Sequence, residues 1–206
     1  MKPPPVFDLP AQAEDLDSRI AAAAERLATA LEGLLRGASR AEGLSTLQAR
    51  VLVLLLQRGR ESPRAGALAR AFDVTPPTLS DAVAALVAKG LVRREPGGGD
   101  DARTISPRLT AHGRAAARRL ATWADPARAL LGGARGDRVR TLGVLMAWIA
   151  ALQRGGLVSV ARMCLTCRFF QQDAHPRAAA RHHCALLDVP LGDETLRVDC
   201  PEHQAA

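Results

Sequence analysis

Long apolar runs are missing from this 206-residue sequence. The runs Val51–Leu56 and Leu142–Leu152 fall short of the roughly 20 residues that a bilayer-spanning helix needs. No membrane association is therefore expected. The opening Met1-Lys2-Pro3-Pro4-Pro5 has no apolar h-region, so it does not read as a secretory leader. Residues 1–11 read instead as a disordered tail, and the expected location is cytoplasmic. Lysine is almost absent: Lys2 and Lys89 stand alone, and the other basic residues are arginines. With the many alanines, this bias points to a GC-rich genome rather than to function. Cysteine does not occur before position 164. In a reducing compartment the four that follow are thiols or metal ligands, not disulfides. No Ser/His/Asp set, phosphate loop or paired carboxylate cluster is present to build a catalytic centre, so an enzyme is not expected.

What is present is basic, and unevenly so. The formal net charge is +7 and the isoelectric point is near 10.4. Residues 1–39 carry 4 basic against 6 acidic side chains, 40–110 carry 11 against 7, 111–160 carry 8 against 2, and 161–206 carry 5 against 6. The positive excess sits in the middle of the chain, an electrostatic footprint suited to phosphate.

That middle contains two short helices in tandem. Ser62 is placed to cap a helix over 63–72, with Pro63 at the first helical position. After a turn at Asp73-Val74, Thr75 caps a second helix that starts with Pro76 and ends at Gly90, a residue suited to the left-handed C′ conformation. Two helices so joined form a helix-turn-helix, whose second helix fits a DNA major groove. Leu79, Ala82, Val83, Leu86 and Val87 make its core face. Its other side carries small residues, with Thr78 and Ser80 able to reach base edges and Asp81 able to accept from a cytosine amino group. Leu91–Glu95 and Arg103–Leu109 read as two strands around the turn-forming tip Pro96–Asp101, including Arg93 and Arg94 on the first. Arg58, Arg60 and Arg64 surround the loop before the first helix, where phosphate contacts would position the domain.

A basic, glycine-rich hairpin directly after a recognition helix is a wing. The order GLVRRE, then GGGDDARTISPRLTAHG, closely resembles the winged helix of the multiple-antibiotic-resistance regulator (MarR) family of bacterial transcription factors. The resemblance covers roughly residues 12–155. It implies that Asp101 and Arg103 stand at the wing tip, the arginine entering the DNA minor groove and the aspartate holding it in place. Narrow grooves attract such a side chain through their negative potential. It also implies a homodimer, made by interlocking N- and C-terminal helices, that presents two recognition helices to half-sites on double-stranded DNA.

The flanking segments suit that reading. A first helix over 12–35 carries Ile20, Leu27, Leu31 and Leu34 on one stripe, which either pairs with a second subunit or packs within its own. Gly43 breaks the chain, and Ser45 with Gln48 predicts a capping box for a core helix bearing Ala49, Val51, Leu52, Leu55 and Leu56. Thr110 caps a helix through Trp123 with Arg114, Arg118 and Arg119 exposed. Asp125-Pro126 and Gly132-Gly133 interrupt. A last long helix from near Asp137 carries Val139, Leu142, Leu145, Met146, Ile149 and Leu152. His112 reads as a surface residue.

The tail holds every cysteine: Cys164-x2-Cys167, sixteen residues to Cys184, then fifteen to Cys200. On spacing this is a four-thiolate metal site, the alternative being structural thiols or a redox CxxC without its βαβ setting. Zinc is the commoner occupant, with His175, His182, His183 or His203 able to replace a cysteine. The run CLTCRFF, the later CAL and a final cysteine are similar to the cluster-binding stretch of high-potential iron–sulfur proteins. That resemblance, confined to about forty residues, implies a [4Fe-4S] cluster.

The expected fold is mainly α with a small β-wing: residues 12–160 a winged helix-turn-helix with dimerisation helices at both ends, and 161–206 a metal-binding appendage. The expected function is DNA-binding transcriptional regulation tuned by redox or gas sensing at the four cysteines. The rivals are a regulator responding to a small phenolic or lipophilic effector with a structural zinc, and an electron-transfer protein.

Overall fold

The computed structural model describes residues 15–59, 65–96, 105–158 and 162–206. It divides into two compact units. One comprises residues up to 64 together with 80–131, and the other 65–79 together with 132–206.

The first unit begins with α1, Leu16–Ala41. Asp15 caps it by accepting from the backbone N–H of Ser18 at 2.8 Å. The helix runs six residues past the end expected from sequence, through Gly33 and Gly37, and near its end Ser39 donates its buried hydroxyl back to the Leu35 carbonyl. Gly43, with φ near 65°, turns the chain into α2, Thr46–Arg58. The expected capping box is formed: Ser45 Oγ accepts from the Gln48 N–H at 3.2 Å and the Gln48 side chain accepts from the Ser45 N–H at 3.1 Å. Ala49, Val51 and Leu52 on α2 are completely buried, and Leu55 nearly so. Leu54 is buried where the sequence pattern placed Leu56, which is only half-covered. A salt bridge, Arg50 to Glu32 at 2.8 Å, joins α2 to α1.

Helix α3, Ala65–Ala71, belongs to the second unit, and α4, Pro76–Ala88, runs from the second unit into the first. Between them Asp73 takes a left-handed φ of 52°, and the Val74 N–H closes the turn on the Ala69 carbonyl. Aspartate tolerates this conformation better than most residues. At the end of α4, Gly90 (φ 67°) allows the Leu91 N–H to reach back to the Leu86 carbonyl at 3.0 Å, the six-to-one bond of a Schellman cap.

The hairpin follows: β1, Val92–Pro96, pairs antiparallel with β2, Ile105–Leu109, in a register that sets Val92 opposite Leu109 and Arg94 opposite Pro107. Thr110 caps α5, Ala111–Leu120. Its hydroxyl accepts from the Gly113 N–H at 2.9 Å and donates to the Gly90 carbonyl at 2.8 Å, so one side chain fastens the ends of α4, the hairpin and α5. Gly113 lets the backbones meet there. A Cβ built on it would lie 1.8 Å from the Leu91 carbonyl oxygen, far inside van der Waals contact, and that oxygen is backbone and cannot swing away. Gly113→Ala is therefore expected to lower the unfolding free energy by about 2 kcal/mol or more, read from denaturant melts of the purified protein.

The short α6, Asp125–Ala129, ends the first unit. In the second unit, α7 spans Arg135–Arg154. Beyond it comes a region that the helical pattern of the sequence did not suggest. A 3-10 turn at Cys164–Thr166 leads to a three-stranded antiparallel sheet ordered β3 (Phe170–Gln171), β4 (His182–Cys184), β5 (Val189–Leu191), followed by a second 3-10 turn, Asp193–Thr195. The core beneath it is shared with α7. Met146 and Ala150, each 1% exposed, pack with Met163, Cys164 and Leu196, and Leu142, Ile149, Leu165, Phe170 and Leu191 surround them. The single apolar stripe expected on this helix is thus divided. Met146, Ile149 and Leu142 face the cysteine-bearing tail, while Val144 and Leu145 remain exposed at 65% and 40%. An ion pair from Arg135 to Glu194 at 2.6 Å ties the start of α7 to the second 3-10 turn. No helix among the described residues is long and apolar enough to cross a membrane.

Candidate nucleic-acid interface and four-thiol site

The first site is the exposed side of α4 with the hairpin beside it. Leu79 and Leu86 are buried to 1% and 0%, and Ala82 and Val83 to under a tenth, as the helical period requires. This leaves Pro77, Thr78, Ser80, Asp81, Ala84 and Ala88 exposed. Thr75 caps the helix: its Oγ1 accepts from the Thr78 N–H at 3.3 Å and lies 2.8 Å from the Thr78 hydroxyl. The two hydroxyls thus form one exposed polar pair at the helix start. On β1, Arg93 is held by Glu95 at 2.6 Å, and Glu95 also meets Arg108 at 3.6 Å. Arg94, on the opposite face of the strand, is exposed. Of the residues expected to touch DNA, Arg60, Arg64, Asp101 and Arg103 lie outside the described residues, as do the predicted cap at Ser62 and Pro63 and residues 97–104 of the hairpin.

The second site gathers residues far apart in sequence. Cys164, Cys167, Cys184 and Cys200 line one small cavity of about 30 Å³, together with Phe170, Leu187, Leu191 and Arg197. Backbone hydrogen bonds fix each thiol. The Cys167 N–H closes the 3-10 turn on the Cys164 carbonyl at 3.0 Å, the Cys164 N–H donates to the Arg197 carbonyl at 3.0 Å, and the Cys200 N–H donates to the Arg162 carbonyl at 2.7 Å. Cys184 is set by strand pairing, opposite Phe170 on one side and Val189 on the other. All four cysteines are free thiols. Burial pushes the Cys164 thiol above its ordinary range. The Arg197 N–H, which donates to its sulfur, works against that rise, and Cys200, Cys184 and Cys167 add to it.

The four histidines considered as replacements for a cysteine lie outside the cavity wall. His182, 3% exposed, accepts from the Asp173 N–H at Nδ1 (3.1 Å), so its Nε2 carries the proton and donates to Asp193 at 3.0 Å. That bond, with help from Arg181, holds the Asp193 carboxyl below the usual carboxylate range. His203 Nε2 faces the Thr166 carbonyl at 3.0 Å, which can only accept, so it too is a donor there. His183 meets Asp188 at 3.2 Å, and its ring lies edge-on to that of His175. None of the four lines the cavity.

Four cysteines are a donor set known for both a zinc ion and an iron–sulfur cluster. A tetrahedral zinc gathers its sulfurs about 2.3 Å from one point. Among the described residues no group of three or more Cys, His, Asp or Glu side chains is arranged to hold a metal ion. A [4Fe-4S] cluster instead asks for one thiolate at each of four separate corners, inside an apolar wall such as Phe170, Leu187 and Leu191 supply. The sequence spacing points to the four cysteines and places Met146 on a helical stripe, but gives no sign of Arg197. Arg197 stands three residues before Cys200, a proximity visible in sequence but without meaning until the fold brings Cys164 to its backbone.

The profile of the MarR family matches residues 42–103. Among solved structures, a MarR-family transcriptional regulator from Silicibacter pomeroyi is 31% identical, with 70% of this chain and 96% of that one covered and a TM-score of 0.56. The transcriptional regulator PA3341 is 30% identical over 66% of this chain and 98% of its own, with a TM-score of 0.55. A MarR-family regulator from Rhodococcus sp. RHA1, 21% identical over 65% and 96% with a TM-score of 0.53, shares the fold. A search among curated proteins matches none.

Proposed function

This chain belongs to the MarR family of transcriptional regulators, and from that premise we propose that it is a dimeric repressor or activator whose grip on DNA is set by an iron–sulfur cluster in its tail. The carrying observation is the convergence of all four cysteines on one apolar cavity whose wall is continuous with the core under α7. Thr75, Thr78, Ser80 and Asp81 offer hydrogen-bonding groups on an exposed helix face otherwise lined by small residues, which suits insertion into a major groove. Arg93 and Arg94 supply charge beside it for phosphate. Exposed Leu16, Ile20 and Leu27 on α1, and Val144 and Leu145 on α7, are apolar surfaces of the kind that a second copy covers.

Cys164, Cys167, Cys184 and Cys200 hold the cluster in this reading. When bound, it supplies a one-electron redox couple and a group open to oxidation, nitrosylation or loss. The protein's own contribution is mechanical. Cys164 is both a ligand and a member of the core formed by Met146 and Ala150, so a change in its position is felt by α7. A helix that belongs to the dimer surface and moves by even an ångström or two alters the separation of two recognition helices.

The test begins with protein purified without air. Iron and acid-labile sulfide in about four-to-four ratio per chain are expected from the cluster type. Duplexes selected from a randomised pool should then bind with different affinity before and after oxidation. A colourless protein with one zinc per chain would move the reading to a structural clasp, with a small-molecule effector as the signal.

A further inference from the structure

We propose that Arg197 sets the reduction potential of the four-cysteine site. This rests on the reading of that site as an iron–sulfur centre. Arg197 approaches it twice. Its backbone N–H donates to Cys164 Sγ at 3.2 Å, and its guanidinium Nη1 donates to Cys200 Sγ at 3.5 Å. It is also the one charged residue in the cavity wall among the described residues.

The other nearby arginines are committed to other groups. Arg162 is spent on Asp199 at 2.7 Å and on the Cys200 carbonyl. Arg181 bridges Asp173 and Asp193. Arg168 lies over the Phe169 ring, 5.5 Å from its centroid. Arg197 has no carboxylate partner among the described residues, so its charge acts on the sulfurs uncompensated.

Uptake of one electron adds one negative charge to the site. A cation held beside two of the four sulfurs favours that more negative state, through an attraction that weakens with distance and with solvent screening. Arg197 therefore raises the potential and makes the site easier to reduce. The backbone donor to Cys164 survives any substitution except proline, and the side chain is exposed, so the charge can be removed without opening the cavity.

The experiment compares wild type, Arg197→Lys and Arg197→Gln, each purified without air and assayed for iron and sulfide. Each is titrated with a low-potential one-electron donor against mediators. R197Q is expected to keep its iron and to show at least a tenfold lower reduced-to-oxidised ratio at fixed potential, a negative shift of about 59 mV for a one-electron couple. R197K should recover most of it. An unshifted potential in loaded R197Q overturns this inference and leaves the cluster reading intact. Loss of iron from R197Q with unchanged far-ultraviolet circular dichroism also overturns it, by making the side chain a holder rather than a tuner. Wild-type protein free of iron and sulfide overturns both readings at once.

Discussion

On the iron–sulfur reading proposed above, Cys184→Ser protein purified without air is expected to lack the acid-labile sulfide of wild type and to bind DNA with one affinity whatever the redox state. Cys184 ends the central strand of the tail sheet, pinned between Phe170 and Val189, so no other side chain can take its place in the cavity wall. The two histidines before it are engaged, His182 by Asp173 and Asp193 and His183 through Nε2 by Asp188. A hydroxyl there is a poor ligand for iron, and a cluster missing one of four thiolates is exposed to solvent and to loss. The fold itself should survive, because the strand pairing uses backbone groups and the residue is only partly buried. Allosteric couplings of this kind are typically worth about 1–3 kcal/mol, or about 5–150-fold in affinity, so wild type should show a change of that order between states and the variant none. Circular dichroism and a mobility-shift titration of both proteins, before and after oxidation, decide it. A redox response that persists in Cys184→Ser sinks the sensing role of the tail.

Much of the DNA-binding half was legible because its signals are local. Ser45 and Gln48 cap α2 through side chains three residues apart. Pro76 after Thr75 starts α4, Gly90 ends it with a positive φ, and Thr110 starts α5. Each is decided within one helical turn, where residue type and backbone geometry are tightly linked. Tertiary contacts were less visible. The close approach of Gly113 to Leu91 joins residues 22 apart, and nothing in the glycine alone announces it. The tail was legible only as a cysteine spacing. Its strands are two or three residues long, too short for an alternating pattern to register, and its order comes from cross-links such as the Cys164 N–H to the Arg197 carbonyl. The divided stripe of α7 had the same cause. Leu142, Leu145, Met146 and Ile149 look equivalent on a helical period, and only the packed tail separates those it covers from those it leaves exposed.

That division carries the second large prediction. Met146→Ala is expected to lower stability by about 2–5 kcal/mol, the usual range for removing a large buried side chain. The upper part of that range is expected here because the second core is small. Met146, Ala150, Met163, Cys164 and Leu196 are its buried members, and Met146 is the one through which α7 meets them with a long side chain. Val144→Ala, 65% exposed on the other face of the same helix, should change the melt of the monomeric unit by less than about 0.5 kcal/mol. The two variants also separate stability from signalling. With Met146 truncated, the four cysteines are untouched, so on the iron–sulfur reading iron and sulfide should match wild type in protein held well below its melting temperature. The contact that couples Cys164 to α7 is then hollow, and the DNA-binding difference between oxidised and reduced protein should shrink toward unity. A Met146→Ala protein that keeps both its iron and its full redox response would place the coupling outside this core, leaving the ion pair from Arg135 to Glu194 as the remaining described tie between α7 and the second 3-10 turn.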